Sequence, residues 1–350
     1  YQKYIRFLGL KFLLSGLIMA VLVTGGAGYI GSHTVIELLR AGYEVIIIDN
    51  FSNSSFDAIN KIEMLSARKF LFYEGDVNDR DLLHKVFSKN VVTDVIHFAG
   101  LKSVSESIQK PVEYYHNNVT GTLNLVKAML CAGVSNIIFS SSATVYGEPE
   151  KIPLTENCAV GGTTNPYGTS KLVAEYMLRD IARSNVNFKV TLLRYFNPVG
   201  AHPSGLIGEA PQGLPSNLVP YLTRVACGDL EVLSVFGSDY STKDGTGVRD
   251  FIHVMDLADG HIAALRNKPQ DSNFHVYNLG TGNGYSVLEL IQTFEKVTNV
   301  RVNYKMCNRR PGDIAECWAD PSLAEKELKW KALRTLEEMM ADAWNYQLKK

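Results

Sequence analysis

The chain has 350 residues, 46% of them hydrophobic and 20% charged, which excludes a disordered, fibrous or low-complexity protein and leaves room for one large or two modest domains. Lys plus Arg is 35 and Asp plus Glu is 36, so the formal net charge of -1 gives no general pull toward nucleic acid or anionic lipid, and an anionic ligand must be met by a few local cations. Five cysteines (Cys131, Cys158, Cys227, Cys307, Cys317) are odd in number and scattered, without metal or disulfide spacing, which points to reduced thiols in a cytoplasm.

Residues 5–23 form an apolar run interrupted by Lys11. Its last part, Met19 to Val23, leads straight into Thr24-Gly25-Gly26 and reads as the first buried strand of a domain. Residues 1–18 are therefore expected outside the fold, as sequence upstream of a start at Met19, with a membrane anchor as the alternative. From there apolar runs alternate with helical patterns. AVLVTGG (20–26) predicts a strand, SHTVIELLRAG (32–42) a helix, and EVIIIDN (44–50) a strand buried on both faces. A polar, helix-compatible stretch follows, then a strand at 69–76, a helix at 79–89 and a strand at 92–100. Residues 111–133 read as one long helix with Pro at its start, 136–142 as a strand, 166–184 as a helix and 189–198 as a strand. Repeated β-α-β order predicts an α/β fold, a doubly wound parallel sheet of Rossmann type.

Beyond Asn197 the texture changes. Residues 198–217 are rich in Gly and Pro, 237–248 in Gly, Ser, Asp and Thr, and the elements read as shorter and more broken. The expected organisation is a dinucleotide-binding domain over 19–196 and a smaller mixed α/β domain over 197–350, with some later segments crossing back and a ligand cleft between the two.

Gly26-Ala27-Gly28-Tyr29-Ile30-Gly31 is a G-x-G-x-x-G between a strand and a helix, the context in which glycines let backbone N–H groups approach a pyrophosphate at a helix N-terminus. Asp49 ends the second strand 18 residues after Gly31, where a carboxylate accepts ribose hydroxyls and repels a 2′-phosphate, favouring NAD over NADP. Tyr167 and Lys171 are four apart on one helix face, so the ammonium, together with a cationic nicotinamide, is placed to favour the phenolate and lower the phenol's pKa. Ser142 ends a strand, where its hydroxyl is placed to bridge a substrate oxygen and the phenol. His97 and His253 read as structural histidines, and no His/Cys/Asp cluster has metal spacing.

In this order the residues resemble the extended short-chain dehydrogenase/reductase family, and within it the enzymes acting on UDP-hexoses. The matching stretches include TGGAGYIGSHT (24–34), FSSSATVYG (139–147), NPYGTSK (165–171), LLRYFNPVGAHPSG (192–205), DGTGVRDFIHVMDLADGH (244–261) and RRPGD (309–313), within a likeness from Val21 to about Trp344. The resemblance implies that Gly25, Gly28, Tyr29 and Ile30 cradle the NAD pyrophosphate, that Asp49 and Asn50 bind ribose, and that Asp76 and Val77 flank the adenine. It implies that Phe98 and Lys102 line the cofactor, that Asn117 and Tyr195 order the site, and that Ser142, Tyr167 and Lys171 are catalytic. It further places Phe196 and Asn197 at the sugar and nicotinamide, and Asn217, Arg249, Arg310 and Asp313 at the UDP moiety, the arginines meeting the diphosphate. The implied activity is inversion at C4 through a 4-keto sugar, linking UDP-galactose and UDP-glucose without a metal, in a homodimer. Cys317 stands where family members often carry a bulky aromatic, so UDP-N-acetylhexosamines are expected to be accepted too. Alternatives are a 4,6-dehydratase or decarboxylase of the same family, which the Ala143-Thr144 pair after Ser142 disfavours, and a nucleotide-sensing module, which the intact Tyr167–Lys171 pair disfavours.

Overall fold

Five consecutive buried residues, Ala20–Thr24, form β1, and Glu44–Asp49 forms β2 beside it in parallel register, Val23 opposite Ile47. Strand side chains alternate between two faces, so runs this apolar require cover on both sides. The computed structural model, which describes residues 19–269, 271–310 and 312–350, supplies that cover; the apolar head at 1–18 lies outside the described residues. β3 (Leu71–Glu74), β4 (Val92–His97), β5 (Asn136–Ser142) and β6 (Lys189–Tyr195) extend the parallel sheet. Four short strands follow, β7 (Asn197–Val199), β8 (Leu233–Phe236), β9 (Val248–Arg249) and β10 (Phe251–His253), before the chain returns to the sheet as β11 (Phe274–Leu279). The order β11-β6-β5-β4-β1-β2-β3 reverses direction between β1 and β4, the kind of switch point beside which such sheets bind ligands. β12 (Tyr285–Ser286), β13 (Tyr304–Cys307) and β14 (Glu316–Cys317) complete three small sheets, in which β12 runs antiparallel to β9 and β14 parallel to it.

On one face of the sheet Val21, Val23 and Ile47 pack with Ile36 and Leu39 of the helix Tyr29–Arg40. Leu22, Ile46 and Ile48 on the other face pack with Leu125 and Met129 of the helix Gly121–Ala132 and Leu178 of the helix Pro166–Ser184. A third cluster, built around Leu222, Val235, Phe294 and Met340, holds the small sheets together.

Two expectations need correction. The later region is not uniformly short and broken: helices Val254–Arg266, Val287–Thr298 and Leu336–Lys349 have 13, 12 and 14 residues. Their loops dominate the local composition, while capping boxes at Ser286/Glu289 and Thr335/Glu338 mark two of the helix starts. Likewise, 111–133 is not one uniform α-helix. Pro111–Tyr115 and Gly121–Ala132 are joined by a π-turn at His116–Thr120, and this turn presents Asn117 to the cavity described below and Asn118 to Leu101 and Ser170.

Within the core, Glu175 of the helix Pro166–Ser184 takes a two-pronged contact from Arg194 of β6, at 3.0 Å from Nε and 2.7 Å from Nη2, and Ser141 Oγ donates to the same carboxylate at 2.5 Å. Both charges are nearly out of water, with 5% and 4% side-chain exposure. Removing one partner strands the other. We predict that Glu175→Ala destabilises the fold by about 3–5 kcal/mol, read as a shift in the urea unfolding midpoint.

Candidate active site

The site begins with a steric constraint. Gly25 has φ +71°, and a Cβ there would lie 2.7 Å from the amide nitrogen of Ala99, just past β4. At Gly31 a Cβ would lie 2.1 Å from the Gly25 carbonyl oxygen. Only glycine lets the turn fold against its own helix this closely. No side chain caps the helix Tyr29–Arg40, so its first-turn N–H groups face the adjoining cavity of about 860 Å³. A bare helix start behind a turn with no room for side chains fits a dinucleotide pyrophosphate. Asp49 braces this loop: its carboxylate accepts from Ala27 N at 2.9 Å, Phe51 N at 2.9 Å and Ser54 Oγ at 2.7 Å. Asn50 Nδ2 donates to Asp76 at 2.6 Å, linking two residues assigned to the adenosine end.

Across the cavity, β5 ends at Ser142. Thr144 donates to Ser142 Oγ through its hydroxyl at 2.9 Å and its backbone N–H at 3.2 Å, so the Ser142 hydroxyl accepts on that side and keeps its own proton for another partner. The helix carrying Tyr167 and Lys171 starts at a fixed point, because Asn165 caps it by accepting from Gly168 N at 2.9 Å and Pro166 opens it. Lys171 Nζ donates to the Ser140 carbonyl at 2.7 Å and lies 4.9 Å from the Phe139 ring centroid. Burial lowers its pKa to about 8, against the opposing pull of Glu175. In the chain without cofactor the Tyr167 phenol is raised: burial outweighs the Ser142 hydrogen bond that lowers it.

Neighbouring side chains hold this frame. Asn118 accepts from Leu101 N at 2.8 Å and donates to Leu101 O at 3.0 Å and Ser170 Oγ at 2.9 Å, fixing the loop after β4 to the helix that carries Tyr167 and Lys171. Tyr195 OH donates to His261 Nε2 at 2.5 Å, while His261 Nδ1 donates to the Leu257 carbonyl at 2.8 Å. Burial lowers His261 to about 4, so the ring is neutral at ordinary pH. His97 is bonded to Thr24 and Thr122, and His253 to Asp342 and the Met255 N–H, which gives both a structural place.

On the far side, Asp250 anchors the junction of β9 and β14 by accepting from the N–H groups of Thr281, Gly282 and Ala319. Arg249 and Cys317 flank it and both line the cavity. Cys317 is buried and packs with Phe196 and Tyr146; burial raises its thiol to about 11, so it acts as a small apolar side chain. Of the residues singled out from the sequence, all line this one cavity except Arg310. Arg310 stands outside its wall, donating to Asp313 at 3.0 Å and lying 4.6 Å from the Phe236 ring centroid. Thr144, Asn118 and His261 were missed. Thr144 and His261 stand in stretches already matched, TVYG and DGH, whereas the role of Asn118 depends on the π-turn. Among the described residues no group of three or more His, Cys, Asp or Glu could hold a metal ion, and no helix is long and apolar enough to cross a membrane.

A family model described as GDP-mannose 4,6 dehydratase matches residues 22–343. The UDP-glucose 4-epimerase of Haemophilus influenzae is 61% identical over 329 residues, 94% of this chain and 97% of that protein. That of Pasteurella multocida is 60% identical over 331 residues, covering 95% and 98%. The crystal structure of UDP-glucose 4-epimerase from Bifidobacterium longum, in complex with NAD+ and UDP, superposes with a TM-score of 0.92 at 54% identity, over 95% of this chain and 98% of that one. The chain belongs to this family of nucleotide-sugar enzymes and, within it, to the UDP-glucose 4-epimerases.

The buried lysine has a consequence for stability. The folded state sheds the Lys171 proton near pH 8, whereas an unfolded lysine holds it to about 10.5. The cost of burying the charge is therefore full below about 8 and is relieved as pH rises toward 10.5. We predict that the cofactor-free wild type gains stability relative to Lys171→Met between pH 8 and 10, by at most roughly 1.4 kcal/mol per pH unit, in urea titrations.

Proposed function

We propose that this chain interconverts UDP-galactose and UDP-glucose by inverting C4, with NAD held in the cavity throughout turnover. The observation that carries the reading is that Ser142, Tyr167 and Lys171 share one cavity with the glycine turn and with Asn217, Arg249 and Asp313. The glycine turn and the first N–H groups of the following helix would hold the pyrophosphate, Asp49 and Asn50 the ribose, and Asp76 and Val77 the adenine. When bound, NAD supplies the acceptor and donor of hydride at the sugar's C4.

Tyr167 removes the proton of the 4-hydroxyl as the 4-keto sugar forms and restores it after the sugar has turned in the cavity. Ser142, its oxygen held by Thr144, bridges the sugar oxygen and the phenol. The Lys171 ammonium, held on the Ser140 carbonyl, favours the phenolate through its charge. Asn217, Arg249, Arg310 and Asp313 grip the UDP, so remote binding keeps the keto sugar from leaving while its reacting end rotates. Arg310 must swing inward from its present pairing with Asp313 to meet the diphosphate.

Elimination is disfavoured because Ala143-Thr144 places no acid after Ser142, and the Thr144 hydroxyl is committed to Ser142. The protein purified without added cofactor should convert UDP-galactose to UDP-glucose, identified by NMR, and release NAD on denaturation. We predict that Tyr167→Phe slows turnover roughly 100- to 10,000-fold with NAD still bound. A keto-deoxysugar product, or full turnover by Tyr167→Phe, would overturn the reading.

The reading includes three finer parts. The small Cys317 leaves room for an N-acetyl group at C2, so UDP-N-acetylglucosamine is turned over. We predict that Cys317→Tyr removes that activity while UDP-galactose turnover persists, measured by paired assays. A homodimer is supported by an apolar outer surface on neighbouring helices, where Ile108 is 63% and Val112 76% exposed and Val173 and Tyr176 are each 37% exposed. The boundary between cofactor-binding and sugar-binding regions is placed near residue 196, with β11 returning to the first.

A further inference from the structure

Glu209 lies in the Gly-rich stretch after β7 and carries no role in the mechanism above. Its Oε1 accepts from Lys102 Nζ at 2.8 Å and from Asn217 Nδ2 at 2.6 Å. Lys102 belongs to the cofactor side of the cavity and Asn217 to the UDP side, so one carboxylate oxygen joins the two. The Glu209 side chain is only 9% exposed, against 43% for Lys102, so the pair is partly shielded from water.

The surrounding stretch crosses the cavity as a strap. Residues 206–212 all line its wall, as does the glycine turn. At one end Tyr29, in the first turn after the glycines, donates its hydroxyl to the Gly200 carbonyl at 2.7 Å. At the other end Gln212 donates to the Ser54 carbonyl at 3.4 Å, beside the brace formed by Asp49. Tyr346, which also lines the cavity, packs on Gly208, where a Cβ would lie 2.5 Å from its ring. Between these ends, the Lys102–Glu209 contact is the ionic tie from the strap to the opposite wall.

We infer that Glu209 is a positioning residue that clasps this strap over the dinucleotide and sets how slowly NAD escapes. The inference rests on the cofactor reading above and deepens it. Lifting the strap requires separating a shielded ion pair, a step that slows dissociation more than it affects chemistry elsewhere in the cavity. Because one carboxylate oxygen also holds Asn217, opening on the cofactor side disturbs the UDP side.

The test starts from NAD-loaded protein and follows the release of NAD after rapid desalting. In Glu209→Ala, NAD loss should be at least about tenfold faster, while kcat in excess NAD stays within roughly threefold of wild type. Raising the salt from about 0.05 to 0.5 M should speed NAD loss from wild type but not from Glu209→Ala. Glu209→Gln, which keeps hydrogen bonding without the charge, should release NAD at an intermediate rate and also lose the salt response. A purely structural role predicts instead that kcat and the melting temperature fall together with retention; that result, or NAD loss at the wild-type rate in Glu209→Ala, overturns the proposal. Wild type that neither carries nor takes up NAD would overturn the cofactor reading itself, a distinct outcome from loaded wild type with an unaffected variant.

Discussion

Lys171 keeps an ammonium group out of water, on the Ser140 carbonyl at 2.7 Å, and much of the half of the cavity that carries Ser142 and Tyr167 is arranged around that charge. A buried cation needs opposite charge or hydrogen-bond acceptors close by. Ser140 supplies an acceptor because β5 runs its carbonyls past the helix. Glu175, one turn beyond Lys171, supplies opposite charge, and Arg194 of β6 in turn neutralises Glu175. The chain of contacts runs from the sheet through the helix to the cavity, so the position of the Tyr167 oxygen is set by packed elements. A site carried on a strand end and a helix is more rigid than one carried on loops.

The other half of the cavity is built differently. There, short strands and long connections carry Asn217, Arg249, Asp313 and Cys317, and Asp250 joins them by gathering three backbone N–H groups onto one carboxylate. Burial raises the Asp250 pKa, and the hydrogen bonds from Thr281, Ala319 and Gly282 pull it back. This division suits a reaction in which the nucleotide stays anchored while the sugar turns. Rigid elements must hold the proton donor and acceptor within reach of either face of the sugar, whereas the anchoring side needs only to grip.

Much of the fold was legible because its signals are local. Strands buried on both faces show as unbroken runs such as EVIIID, and β5 and the helix 166–184 fall where periodicity predicts. The glycine turn was legible because steric exclusion at Gly25 and Gly31 admits one residue type. What sequence alone did not carry was non-local. The π-turn at His116–Thr120 has no composition of its own, so Asn118 could not be told from Asn117. The direction of the Tyr167 shift depends on how deeply the phenol is buried, which the i, i+4 spacing does not encode. Arg310 matched a motif, yet a motif does not say which way a long side chain rests before its ligand arrives. Which later segment crosses back was also not legible: β11 pairs with β6 from more than 70 residues further on, and periodicity cannot see such pairings.

Burial raises Tyr167 and lowers Lys171, so both move away from the phenolate–ammonium form and toward a neutral phenol beside a lysine that begins to lose its proton near pH 8. The protein by itself therefore holds the proposed base as a neutral phenol. A further positive charge next to the phenol, as an oxidised nicotinamide carries, shifts it in the opposite direction. On this account the phenol becomes a competent base only when the dinucleotide is bound and oxidised, the condition in which removing the proton and removing hydride from the same carbinol belong together. Depth of burial, which at first works against Tyr167 as a base, is then what makes its basicity conditional on the cofactor.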